Sequence, residues 1–89
     1  MKIIQRTTQF KRDVKRQQKR GKDISLLKEI ILLLANNQSL EFKYRDHPLV
    51  GNYYGARECH ISPDWVLIYQ ASEEKLVLIR TGTHADLFE

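Results

Sequence analysis

Eighty-nine residues, 42% hydrophobic and 29% charged, are enough for one domain with one core, and residues 1–89 are read as a single unit. No apolar run approaches the roughly 20 residues of a membrane span, residues 1–6 lack the apolar region and cleavage site of a secretion signal, and the lone Cys59 excludes an internal disulfide and a cysteine-based zinc centre, so a reducing cytoplasm and no membrane contact are expected. The net charge of +4 is segregated: residues 1–28 hold ten Lys/Arg against two Asp/Glu and residues 29–89 five against nine, giving +8 and −4, which points the N-terminal third toward a polyanion or an acidic protein.

In chain order, residues 2–6 read as a short strand. Thr7 or Thr8 caps a helix that runs to about residue 20, where Gly21 stops it. Lys11, Lys15 and Lys19 form one row on that helix and Arg12, Arg16 and Arg20 the adjacent row, together covering about half of its circumference at the helical repeat. Phe10, Val14 and Gln17 fall on the other side. Asp23 caps a second helix, to about residue 36, in which Ile24, Leu27, Ile31 and Leu34 recur at spacings of three and four. Leu26, Ile30, Leu32 and Leu33 widen the stripe, so substantial burial is expected. The short Gly21-Lys22 link makes the two helices an antiparallel hairpin.

A polar connection containing His47-Pro48 and Gly51 leads to three strand-like runs, at about residues 54–61, 65–71 and 76–80. Their links are too short for anything but antiparallel neighbours. The chain then breaks at Thr81-Gly82-Thr83. Strand, helix, helix and three antiparallel strands make an α+β layer, with the helix pair covering one sheet face.

The chemistry gathers at one sheet edge. His60 and Asp64 flank one tight turn, and the last strand runs in the direction of the first of the three, so it delivers Arg80 and His84 to the same edge. His47 lies in the preceding loop. Two chemistries suit such a set. Imidazoles can take a proton from a ribose 2′-hydroxyl or give one to a leaving 5′-oxygen, with an arginine stabilising the phosphoryl charge. Alternatively, three histidines and an aspartate could hold a metal ion. Acid–base chemistry is favoured, because a cation beside Arg80 would be repelled.

The stretches KYRDHPLVGNYYGARECHISPDWVLIY and RTGTHADLF carry the patterns D-H-P-L, H-x-x-P-D-W-x-L-I-Y and R-T-G-T-H-x-x-L-F. In these patterns, and in the order and length of its helical half, the chain resembles the RelE/ParE superfamily of bacterial toxins, most closely the YafQ-type mRNA interferases. The resemblance implies a RelE-like α+β fold ending in a short helical turn. It implies a cytoplasmic toxin of a type II toxin–antitoxin system that cleaves mRNA in the ribosomal A site, dependent on the ribosome and on neither metal nor cofactor. Its expected partners are the 70S ribosome with mRNA and a cognate antitoxin with a DNA-binding N-terminal half, through which alone operator DNA is reached. The excess of positive charge argues that the antitoxin is acidic.

Carried onto this chain, the functional set is His47, His60, Asp64, Arg80, His84 and Phe88. His60 or Asp64, with His47 nearby, would activate the 2′-hydroxyl; His84 would protonate the 5′-oxygen; Arg80 would stabilise the phosphorane-like state; Phe88 would stack on a base. The six cations of the first helix, Lys11, Arg12, Lys15, Arg16, Lys19 and Arg20, would grip ribosomal RNA. Two other readings are a ParE-like toxin that acts on DNA gyrase without cutting RNA and a plain RNA-binding module using the basic helix alone. Neither needs the histidine–aspartate set.

Overall fold

The computed structural model describes residues 1–88. Its elements run β1 (Ile3–Arg6), α1 (Thr8–Lys19), α2 (Ile24–Ala35), β2 (His47–Pro48), β3 (Arg57–Ser62), β4 (Trp65–Ala71), β5 (Lys75–Gly82) and α3 (His84–Phe88), with single 3-10 turns at Phe42–Tyr44 and Gly51–Tyr53. The strands form one mixed sheet in the order β1-β5-β4-β3-β2, in which β1 runs parallel to β5 and the other pairs are antiparallel. The expected α+β order, the helix hairpin and the three-stranded meander are all present.

The central strand explains the layering. Trp65, Leu67 and Tyr69 of β4 face a core built with Phe10 of α1, Leu27, Ile30 and Ala35 of α2, and Leu76 and Leu78 of β5. The intervening Val66 and Ile68 face a second, smaller core with Ala56 and Leu87, flanked by Leu49, Tyr53 and Ile79. A strand buried on both faces reads as an unbroken apolar run, as residues 65–69 do. The helices therefore cover one face, and α3 with the connection before β3 covers the other.

Four details differ from the sequence reading. His47 lies in a two-residue edge strand paired with β3, not in a loop. The first of the three strands begins at Arg57, because Gly51–Tyr53 is a turn and Gly55 has a φ of 93°. β5 continues through Thr81 and Gly82, with a register shift opposite Ile68/Tyr69, so the chain breaks only at Thr83. α2 is less buried than its stripe suggests: Leu27 and Ile30 are buried, but Leu26 and Leu32 are 41% and 50% exposed, since one sheet face can accept only one side of the helix.

Candidate active site

β3 supplies the centre of the site. Its alternation sends Cys59 into the helix-side core and leaves Glu58 and His60 on the opposite face. Cys59 takes no part in the chemistry: burial pushes its thiol up to about 12, so it stays protonated. Antiparallel pairing sets His47 of β2 directly across from Glu58, and the two side chains meet, His47 Nε2 to Glu58 Oε2 at 2.9 Å. The other ring nitrogen of His47 lies 3.1 Å from the Pro48 carbonyl.

His84, the first residue of α3, has a carboxylate oxygen near each ring nitrogen. Nε2 is 3.1 Å from Glu58 Oε1 and Nδ1 is 3.4 Å from Asp64 Oδ1. Glu58 Oε1 is buried and accepts no aligned hydrogen bond, so the His84 contact is one of proximity. The His60 and His84 rings meet edge to face with centroids 5.3 Å apart. Phe88 stacks on His84 at 5.7 Å and is itself held by the edge of Tyr53. Burial lowers the proton affinity of His60, and the neighbouring His84, Arg45 and His47 act in the same direction, while Glu58 alone opposes them.

Five of the six residues carried over from the resemblance therefore gather in one cluster at the sheet edge, linked directly or through Glu58: His47, His60, Asp64, His84 and Phe88. Arg80 sits apart from them in its contacts. It makes no ion pair with Glu58. Its guanidinium instead grips Asp13 of α1 in a two-point ion pair, Nε to Oδ2 at 2.9 Å and Nη2 to Oδ1 at 3.0 Å. Asp13, buried on the helix side, also accepts the backbone N–H of Thr81 at 3.2 Å. Among the described residues no hydrogen bond links Arg80 to the imidazoles, although Tyr53, which props Phe88, lies beside its guanidinium.

The six basic residues of α1 also divide. Arg20 donates to both oxygens of Asp86 in α3, at 2.6 and 3.1 Å, and Arg16 stands 3.8 Å from the same carboxylate. Lys11, Arg12, Lys15 and Lys19 are exposed and make no ion pair among the described residues. Asp86 completes a capping box: Thr83 N–H donates to Asp86 Oδ2 at 3.0 Å, and Asp86 N–H donates to Thr83 Oγ1 at 3.1 Å. Gly82 is required here, since a Cβ at that position would lie 2.9 Å from the Asp86 carboxylate. The sequence T-G-T-H-A-D is thus a device that fixes His84 as the first residue of a capped helix and ties that helix to α1.

Two functional residues escaped the sequence reading. Asp86 was legible as the fourth residue of a Thr-x-x-Asp cap. Glu58 offered only a faint signal, a carboxylate two residues before His60 in a strand; its place between two histidines needs the β2–β3 register. His47, Glu58 and His60 also bring one ligand atom each to within 4.8 Å of one another, a spacing that suits a metal ion. Repulsion from Arg80 does not disfavour a metal there, because Asp13 neutralises that guanidinium.

Residues 2–89 match the family described as the bacterial toxin of type II toxin–antitoxin systems, YafQ. The chain is 48% identical over 86 residues to the mRNA interferase toxin YafQ of Escherichia coli K12, covering 96% of this chain and 94% of that protein. It superposes on the crystal structure of YafQ from E. coli BL21(DE3) with a TM-score of 0.95 at 44% identity over the whole of both chains. The E. coli DinJ–YafQ complex gives 0.93 at 46% identity, also over both whole chains. A metal-bound toxin from Helicobacter pylori gives 0.92 at 42% identity, covering 99% of this chain and 100% of that one.

Proposed function

Because this chain belongs to the YafQ family of bacterial toxins of type II toxin–antitoxin systems, we infer that it is an endoribonuclease of the mRNA interferase kind. We read it further as cutting mRNA on the ribosome by attack of a ribose 2′-hydroxyl on the adjacent phosphate. The observation that carries this reading is the pair of unlike imidazoles in contact, His60 without an ion-pair partner among the described residues and His84 with a carboxylate oxygen near each ring nitrogen.

The roles follow from those surroundings. His60, its proton affinity lowered by burial, is the neutral imidazole able to accept the 2′-hydroxyl proton. Among the candidates for the base it is favoured over Asp64, whose side chain is 70% exposed and turned to His84. His84, flanked by Glu58 and Asp64, is suited to carry a proton and deliver it to the departing 5′-oxygen. Glu58 stands between His47 and His84, 2.9 and 3.1 Å from a ring nitrogen of each, and orients both rings. Phe88 extends the His84 ring into a platform for a base. Arg80 acts by anchoring β5 to α1 until substrate draws its guanidinium away from Asp13. Lys11, Arg12, Lys15 and Lys19 supply the grip on ribosomal RNA. The inhibitor is an acidic antitoxin, the counterpart of DinJ in the E. coli complex.

A metal-assisted reading has its own support in the His47–Glu58–His60 spacing. An ion held there would supply a Lewis acid for the phosphoryl oxygen. One experiment tests both: cut sites are mapped on mRNA translated by purified ribosomes, with the toxin stripped by EDTA and the ribosomal magnesium restored. Cleavage by wild-type protein and none by folded, antitoxin-binding His84→Ala is expected. Full cleavage by that variant refutes the assignment of the acid, and activity that returns only with zinc or copper favours the metal.

A further inference from the structure

A cleft opens between α2, the Phe42–Tyr44 turn and the end of β3, and His60 lines it. It has a volume of about 460 Å³, within the roughly 300–1,000 Å³ typical of small-molecule sites. Leu26 and Ile30 of α2, Tyr44 and Ile61 line it, and so does His60, which also touches His84 of the catalytic cluster. Such a lining accepts the flat face of a nucleobase.

Arg45 stands at this cleft and is unlike the other arginines around the site. Arg20, Arg57 and Arg80 each have a carboxylate partner, whereas Arg45 has none among the described residues. Its neighbour Asp46 is already taken by Arg57 at 3.2 Å and by the Tyr69 hydroxyl at 2.7 Å. Lys43, also on the rim, lies over the Tyr44 ring. The Glu29 carboxylate on the α2 wall makes no ion pair with Arg45, which leaves it as an acceptor for a base amino group. The 3-10 turn Phe42–Tyr44 ends on Arg45 in the left-handed region, φ 50° and ψ 44°. A non-glycine residue held there is disfavoured, and such a conformation is kept where the fold or the site imposes it.

We propose that this cleft is the subsite for the nucleotide on the 5′ side of the cut and that Arg45 binds the phosphate preceding that nucleotide. The assignment rests on the endonuclease reading above. If His60 takes the 2′-hydroxyl proton, the nucleotide bearing that hydroxyl lies on the His60 side, and the one leaving with the 5′-oxygen lies beside His84 and Phe88. The strand of RNA then crosses the edge of the sheet with one base in the cleft and the next beside Phe88. Arg45, unlike Arg80 with its Asp13 partner, needs no ion pair broken to make this contact.

The test pairs two variants with two substrates. Arg45→Gln removes the charge and Arg45→Lys keeps it, and both side chains meet the same left-handed backbone, so their difference reports the charge. The mRNA carries a neutral methylphosphonate either one phosphate 5′ or one phosphate 3′ of a mapped cut site. With purified ribosomes, the 5′ modification and Arg45→Gln should each slow cleavage about tenfold, the scale of one charge-assisted contact. Together they should slow it no further. The 3′ modification should add to Arg45→Gln, and Arg45→Lys should cleave near the wild-type rate.

Wild-type speed from Arg45→Gln, or additivity with the 5′ modification, overturns the subsite while leaving the endonuclease reading intact. Cleavage at wild-type speed with weakened antitoxin binding would identify the cleft as a protein-docking surface and also refutes the proposal. Absence of any cut by wild-type protein on translated mRNA refutes the endonuclease reading and the subsite with it. Should Arg45→Gln fail to fold, the 5′ and 3′ modifications tested on wild-type protein decide: equal loss from both sinks the assignment.

Discussion

At the scale of single residues the proposed mechanism rests on a contrast between two similar rings. His60 and His84 are in contact, yet partial burial and the nearby Arg45 disfavour a proton on one, while two carboxylates stand beside the other. Burial is the largest influence on His60 and lowers its proton affinity, so the proposed base loses its proton below the free-imidazole value of about 6.5. The acid limb of the pH–rate profile should therefore lie below that value. Glu58 is the only group raising the affinity, so Glu58→Gln should move that limb further down, measured as cleavage rate against pH in single turnovers. A shift upward would show that His60 is not the base. Linkage has a definite sign as well: because the folded ring holds its proton less tightly than the unfolded one, His60 makes stability fall as pH drops through the ordinary histidine range.

At the scale of elements, α3 is only five residues long, too short to hold its own position in water. Its place is set by the Thr83–Asp86 cap and by the Arg20–Asp86 pair, and the same arginine had been expected to contact RNA. Arg20 holds the Asp86 carboxyl well below the usual carboxylate range, which leaves it ionised at any working pH. Asp86→Asn keeps an acceptor for the Thr83 amide but loses the ion pair. It should lower kcat about tenfold through misplacement of His84, with KM for the ribosome little changed. A wild-type kcat would show that the cap alone positions the ring. Asp13 does for β5 what Asp86 does for α3: each carboxylate of one element is gripped by an arginine of another, so α1 is tied to both segments that carry catalytic groups.

At the scale of the whole molecule, the charge segregation remains after folding, but it is narrower than the helical wheel suggests. Arg16 and Arg20 are turned to Asp86, leaving Lys11, Arg12, Lys15 and Lys19 as the open cations of α1. Changing these four to Gln should leave the unfolding midpoint nearly unchanged, because exposed charges contribute little to stability. Ribosome association should weaken, and its logarithmic dependence on salt should flatten, as fewer phosphates are neutralised. An unchanged slope in sedimentation or filter-binding assays would show that this face does not meet RNA. The same variant should bind an acidic antitoxin with a slower on-rate and a similar off-rate, since steering acts on encounter.

Periodicity and capping residues made the helices, the meander and its edge legible in the sequence, because those signals are local: a helix repeat, an Asp23 cap, and links too short for a crossover. That His60, Asp64 and His84 share an edge followed from strand direction alone. The fold decided what depends on register and on packing between distant segments. Glu58 reaches His47 and His84 only through the β2–β3 pairing, and Arg80 turns to Asp13 because α1 packs on β5. Arg16 and Arg20 leave the RNA-facing set because α3 docks beside the end of α1. Charged side chains seek whichever opposite charge the packing brings near, and no sequence spacing encodes a partner more than sixty residues away.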